Sequence, residues 1–543
     1  MTHRAPPPVL LGLPCLLLGL PCLLLGLSGC ATQALESAPA RPDMPWQPNI
    51  AANGELLPGK AGRRGLMLPP GYVLPANHAL APRPADSNIN TSHIYTLPEL
   101  IDIAQSNNPS TRRAWNAARD AALAVGIART TYVPHLTASI VGGYGTRHNN
   151  NSFSVENGGL AGNIINNTNT PRTQNNGHGE VQTLNMEWLL FDFGKREAMI
   201  DAASQLQLAS NVLFTAAHQK VIYGVTLAFY THAAAVARAG LVEQALRNAR
   251  NVQAAAEARL HQGQGTIVDV AQTQQMTAQA ELRLVQAQNG IENTYLELMT
   301  SMGISPSTQL RTQDVAGRPL NINDMRMTDD MIRTAVSQRP DVLAAYAAAK
   351  AARSNVTAAK AEFLPKVFVT GNVAYTTGHL ALSSVPGAGS DSSPTLNLSS
   401  NNFSSLVLGG ISVPIFDGGM RAAVLKQVQN RADSTQVTLE QTLDDSAKQI
   451  VAAENGLHTG LSAYRAATKL EAAAQTSFDA AFTAYRSGVG SITPATLAQS
   501  GLLDAQLAQS DAYYAALIAA ASLGFATGAI GNVPDQGVDE PAR

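Results

Sequence analysis

The chain is predicted to be mainly α-helical with a membrane β part, built as a duplicated helix–strand–strand–helix repeat. Three observations predict this. Matched sequence marks recur in the same order in the two halves. Each half carries two alternating strands around a long polar loop. Each half also carries a proline-free, alanine-rich run far longer than the helices of compact domains.

The first element is a leader. His3 and Arg4 precede an apolar run that ends at Leu27, and small residues follow, as in an export signal spanning 1–29. The run is long enough for a membrane anchor, but Pro14 and Pro21 each remove a helix donor. All three cysteines lie here: Cys15 and Cys22 follow proline, whereas Cys30 follows Leu27-Ser28-Gly29. Leu-Ser-Gly-Cys resembles the bacterial lipobox, which makes Cys30 a candidate acylated N-terminus bearing diacylglycerol and an N-acyl chain. An ordinary signal cleaved nearby is the competing reading. Ala31, rather than an aspartate, favours outer-membrane sorting by the same resemblance. Beyond Cys30 no thiol remains, so neither a disulfide nor a thiolate metal site is available to the rest of the chain.

Residues 30–93 hold ten prolines and little periodicity. They read as an extended segment, either a tether or a strap along another surface. A net charge of −2 argues against a nucleic-acid partner. Only 14% of residues are charged, against about a quarter in globular proteins, and the alanine content suits long, closely packed helices.

Repeat 1 is assigned to 94–312, a linker to 313–328, repeat 2 to 329–529 and a tail to 530–543. Pro109 and Pro134 bracket a helical run in the first; Pro340 and Pro365 bracket its counterpart at the same separation. Phe191-Asp192-Phe193-Gly194-Lys195-Arg196 answers Phe416-Asp417-Gly418-Gly419-Met420-Arg421, and Gly263-Gln264-Gly265-Thr266 answers Gly488-Val489-Gly490-Ser491.

Strands are expected at about 136–146 and 181–192, and at about 366–376 and 405–416. Leu136, Ala138, Ile140 and Tyr144 share a face, as do Leu184, Met186, Trp188 and Leu190. Val367, Val369, Val373 and Tyr375 form the matching face in repeat 2, with Val407, Ile411, Val413 and Ile415 on the return strand. Each strand has roughly the 9–11 residues that a tilted strand needs to cross a bilayer. A soluble core would show the same alternation. The asparagine- and glycine-rich loops 148–180 and 377–405 tilt the reading toward a barrel, because burying them would strand backbone groups. Four strands cannot close a barrel, for which about eight is the minimum, so membrane-spanning strands require assembly with further copies. From Gly418 to Tyr485 no proline interrupts a helix of roughly 100 Å, and Leu443, Ile450, Leu457 and Tyr464 recur at the coiled-coil interval.

Taken together, these marks resemble the TolC-like outer membrane efflux proteins from about Tyr95 to Ala526. The resemblance implies a homotrimer in the bacterial outer membrane: a 12-stranded β-barrel continued by an α-helical periplasmic tunnel. It implies passive export of small molecules, with a periplasmic adaptor and an inner-membrane pump, of the RND type, as partners. The exit channel of a type I secretion system is the nearest alternative, and a pore-free coiled-coil lipoprotein scaffold is one of another class.

Carried over residue by residue, Gly263, Gly265, Thr266, Gly488, Val489, Gly490 and Ser491 become the periplasmic tip where adaptors dock. Plain helix caps would look the same. The family's aspartate and arginine positions in repeat 2 are here Pro494, Leu497 and Gly490, which puts its closing mechanism in doubt. Asp269 is either one member of a carboxylate ring or an ordinary helix-start aspartate; Tyr485 and Arg486 are further gate or docking candidates. No phosphate loop, nucleophile elbow or metal-spaced histidine cluster is present, and no cofactor or enzyme activity is expected.

Overall fold

The computed structural model describes residues 46–53, 55–61, 76–80, 89–148, 174–317, 319–320, 326–378, 380–382, 396–398 and 402–530. Cys30 and most of both polar loops lie outside them. The chain divides into two units, Met1–Ala85 and Asp86–Arg543.

In the first unit, β1 (Trp46–Ile50) and β2 (Leu56–Ala61) form an antiparallel hairpin. The proline-rich segment thus carries one paired hairpin within its extended chain. Asn53 fixes the turn by accepting the Glu55 N–H at 3.1 Å, and Pro48 and Pro58 sit where the register breaks, so their missing donors cost no regular ladder bond.

The second unit repeats one plan twice. In the first copy β3 (Ile94–Tyr95), α1 (Leu97–Asn107), α2 (Pro109–Thr130), β4 (His135–His148), β5 (Gln174–Phe191), α3 (Lys195–His261) and α4 (Ile267–Met302) follow in order, and β6 (Arg311–Thr312) leads into the linker. The second copy runs α5 (Asp329–Gln338), α6 (Pro340–Ala361), β7 (Lys366–Gly378), the short pair β8 (Leu380–Leu382) and β9 (Leu396–Leu398), β10 (Asn402–Ser412), α7 (Met420–Arg486) and α8 (Ile492–Ala526). The helix lengths coincide: α2 and α6 have 22 residues each, α3 and α7 have 67 each. Local chemistry sets the starts. Asn108 accepts the Ser110 N–H at 2.9 Å ahead of Pro109, whose absent N–H would be unpaired there anyway.

One window of α3 is apolar enough to cross a bilayer. The helix is about three spans long, however, and packs on α2, α4, α6 and α8, so it is a bundle helix. Alanines allow the close approach: Ala245, Ala249 and Ala256 are buried along α3. Where α1, α3 and α4 meet, Leu100, Phe229, Leu298 and Met299 form a fully enclosed core, strapped by the parallel pairing of β3 and β6. The seven-residue set on α7 does not form one inward seam. Ile450 is fully buried while Leu443 is 37% exposed.

The four long strands make one antiparallel sheet in the order β10-β7-β5-β4, with β4 and β10 at its edges. Leu136 pairs with Met186, Leu184 with Val373, and Tyr375 with Phe403, so the apolar sides of all four strands coincide. On the opposite side Ser139 bonds Thr183 at 2.6 Å, and Asn372 bonds Asn185.

Three strand details differ from expectation. β5 starts at Gln174, inside the stretch read as loop. β10 ends at Ser412 rather than Phe416, because Pro414 has no N–H to extend the ladder. In β5 a register shift between Leu189 and Phe191 takes Leu190 out of the pairing and brings Phe191 to the apolar side opposite Val367.

Candidate functional site

The far end of the helices is formed by the two Gly-x-Gly turns. α3 ends at His261, and Gly263 turns the chain with φ 72°; α7 ends at Arg486, and Gly488 does the same with φ 80°. Only glycine adopts this region without a Cβ penalty. The bonding repeats as well. Gln264 and Gly265 donate to the Arg259 carbonyl at 2.8 and 3.1 Å, while Val489 and Gly490 donate to the Ala484 carbonyl at 3.1 and 3.0 Å. The second glycines are required by close approach: a Cβ on Gly265 would lie 2.9 Å from the Leu260 nitrogen, and one on Gly490 3.2 Å from the Ala484 Cβ.

Beyond each turn a new helix is capped. Thr266 accepts the Asp269 N–H at 3.2 Å, and the Asp269 carboxylate accepts the Thr266 N–H at 3.1 Å. This reciprocal box is what the helix-start reading of Asp269 requires. Ser491 holds the equivalent N-cap position without a side-chain bond.

The two turns are joined by a residue that the sequence reading missed. Arg259 Nη1 donates to the Tyr485 carbonyl at 2.6 Å, Nη2 donates to the Gln264 carbonyl at 3.3 Å, and the guanidinium lies 4.7 Å from the Tyr485 ring centroid. One side chain thus grips both repeats. A lone arginine before a glycine turn gives no hint of a carbonyl partner 226 residues away.

Tyr485 is 2% exposed and packs with Val252, Phe478, Ile492 and Leu502. It is therefore an internal brace of the tip, at a position the sequence offered as a gate or docking candidate. Burial, helped by the negative charge of Asp269, pushes its phenol above the usual tyrosine range. Arg486 is exposed, its guanidinium 5.8 Å from the Phe482 ring centroid. Ile267, Val268, Val489 and Leu497 also face outward, Val489 at 87% exposure, giving the tip an apolar rim.

At the other end, each Phe-Asp-x-Gly motif is an elbow between strand and helix. Asp192 accepts the Arg196 N–H at 3.0 Å, and Asp417 the Arg421 N–H at 3.0 Å. The Arg196 guanidinium is buried and donates to the carbonyls of Thr131, Leu189 and Leu190 at 3.1, 2.7 and 2.7 Å. Arg421 is more open and reaches only the Pro414 carbonyl, at 3.3 Å, beside Asp417.

Among the described residues no group of three or more His, Cys, Asp or Glu side chains is placed to hold a metal. His232 is a core histidine bonded to Thr294 at 3.2 Å, and burial lowers its pKa.

Two matched helical hairpins carrying four amphipathic strands make a duplicated subunit whose sheet keeps both edges open. The chain belongs to the outer membrane efflux protein family, whose model matches residues 100–304 and 331–529. It is 26% identical over 300 residues to the cation efflux system protein CusC of Escherichia coli K12, an alignment covering 54% of this chain and 59% of CusC. Against the probable outer membrane lipoprotein SilC of Salmonella typhimurium it is 24% identical, covering 66% of this chain and 68% of SilC. The open-state MtrE channel of Neisseria gonorrhoeae superposes with a TM-score of 0.62 at 22% identity, covering 80% of this chain and 89% of MtrE, and so shares the fold.

Proposed function

We propose that three copies of this chain close a 12-stranded barrel in the outer membrane and continue it as a helical tunnel. In this reading the protein is the exit duct of a tripartite efflux system, passing small molecules from a periplasmic adaptor and an inner-membrane pump of the RND type to the outside. The observation that carries it is the sheet. Its four strands set a mainly apolar face, interrupted by Gln182 and Ser405, against a face bearing Ser139, Thr183, Asn185 and Asn372, and both edges end in open ladder groups. In lipid those edges must be paired, and further copies of the same sheet supply the matching edges. Apolar side chains left open on the helices, such as Leu123, Ile127 and Leu208, are the surface that neighbouring copies would cover.

The apolar rim of the tip suits the ends of adaptor helical hairpins, and the duct itself needs no catalytic group. Reconstituted into planar bilayers, the purified protein should give steady conductance as a trimer. A folded trimer that inserts and stays silent would leave the scaffold reading instead.

Lipidation at Cys30 forms part of the proposal, supported by the Leu-Ser-Gly-Cys sequence and the likeness to SilC. Labelling cells with radioactive palmitate should mark the parent protein and leave Cys30→Ser unmarked. Equal labelling of both would remove Cys30 as the anchor. The barrel's insertion is expected to survive this change, since its strands carry their own apolar face.

A further inference from the structure

Lys366 opens β7 on the side of the sheet that carries Asn372, opposite Val367 and Val369. Its ammonium bonds Glu362 at 2.7 Å, and Glu362 also pairs with Lys195 at the start of α3. Glu362 in turn lines a groove of about 310 Å³ that crosses α6 from α3 to α7. The groove is thereby joined to the polar side of the sheet, the side that the duct reading gives to the lumen.

The sequence makes this groove by side-chain size. On α6, Ala352, Asn355, Ala359 and Glu362 recur at three- and four-residue intervals, so they share one face, and its alanines leave depth there. Met199 of α3 and Val424 of α7 stand at the sides, 44% and 45% exposed. Apolar side chains held open around a concavity of this size are the usual lining of a small-molecule site.

Charge then selects the occupant. Lys195 and Lys366 share the single carboxylate of Glu362. Arg431 of α7 lines the groove as well, exposed and with no bonded side-chain partner among the described residues. Polar groups near it are engaged elsewhere: Asp201 accepts the Ser354 hydroxyl, and Gln436 accepts from Arg353. Three cations against one carboxylate leave the groove positive. A cation would be repelled by Arg431, and a bare inorganic anion would leave the apolar walls unused.

We infer that this groove is a transit subsite for organic anions with a short apolar body. Arg431 holds the anionic group, and the body lies against Met199 and Val424. The inference rests on the duct reading and deepens it, by naming the charge class of cargo that pauses where the tunnel meets the barrel.

The test is block of the channel current in planar bilayers. Hexanesulfonate should interrupt the current in a concentration-dependent way. Methanesulfonate has the same charge without the body, and hexyltrimethylammonium has the body with the opposite charge. Each should block roughly tenfold more weakly. Arg431→Gln should weaken the hexanesulfonate block about tenfold, the effect of losing one charged donor. Val424→Asn, which alters only the wall, should weaken hexanesulfonate and leave methanesulfonate unchanged. Equal block by all three probes, or hexanesulfonate block that neither variant alters, overturns the subsite while the current itself keeps the duct reading standing. A folded, inserted trimer that passes no current removes the duct reading, and the subsite falls with it.

Discussion

Replacing Arg196 with alanine is expected to loosen the sheet from the helices at a cost of about 3–5 kcal/mol, the usual penalty for removing one partner of a buried ion pair. Arg196 is 5% exposed, its partner Asp192 is 1% exposed, and three backbone carbonyls depend on the same guanidinium. Those carbonyls belong to the end of α2 and the end of β5, so the side chain ties together the chain's entry into the sheet and its exit. Its stacking 4.5 Å from the Tyr132 ring centroid adds packing that alanine cannot replace. Urea unfolding of the detergent-solubilised protein measures the loss. Arg421→Ala is the internal comparison. Its ion pair is 20% exposed on each side and it reaches one carbonyl, so its removal should cost nearer 1 kcal/mol. Equal effects at the two positions would show that burial of the first elbow is not what matters. Asp192→Asn combined with Arg196→Ala should cost less than the two single changes together, because the carboxylate is no longer left buried and unpaired.

Arg259→Ala should uncouple the two turns of the tip. A hydrogen bond to a charged donor contributes about 1.5–3 kcal/mol, which corresponds to a roughly ten- to hundredfold rise in local opening. Amide hydrogen exchange at residues 259–270 and 484–492 reads this directly, and little change should appear at Leu298 or Met299 in the distant core. Tyr485→Phe separates the contributions. The Tyr485 hydroxyl is buried with no hydrogen-bond partner among the described residues, so its removal should leave exchange nearly unchanged while the ring keeps its place under the guanidinium. Exchange in Arg259→Ala that matched the parent would mean the turns are held by packing of Phe478, Ile492 and Leu502 alone. Conductance of the same variant shows whether the link between the turns also narrows the duct.

Much of this protein is written locally. Pro109 and Pro340 open helices because the first helical position needs no donor, and Gly263 and Gly488 turn the chain because no other residue does so without strain. The period of two along β4 and β7 assigned the faces correctly. Along β5 the same rule failed at one point, because a single unpaired residue reverses every side chain after it. Nothing in Leu189-Leu190-Phe191 marks that shift.

The site divides in the same way. The sequence picked out both tip turns and both elbows as repeated motifs, yet it left Tyr485 as a gate or docking candidate and passed over Arg259 altogether. Tyr485 sits one residue from an exposed arginine at a helix end, which by position alone is a surface place. Only its packing among Val252 of α3, Phe478 of α7 and Ile492 and Leu502 of α8 turns it inward.

By itself, then, the sequence determined the duplication, the helix lengths, the glycine turns and the apolar sides of the strands, since each follows from the geometry of a few neighbouring residues. The tertiary structure alone decided that Arg259 clasps Tyr485, that Arg196 is sealed under three carbonyls while Arg421 is not, and that Phe191 joins the apolar face. Those outcomes depend on which surfaces meet across hundreds of residues, and no local period records that.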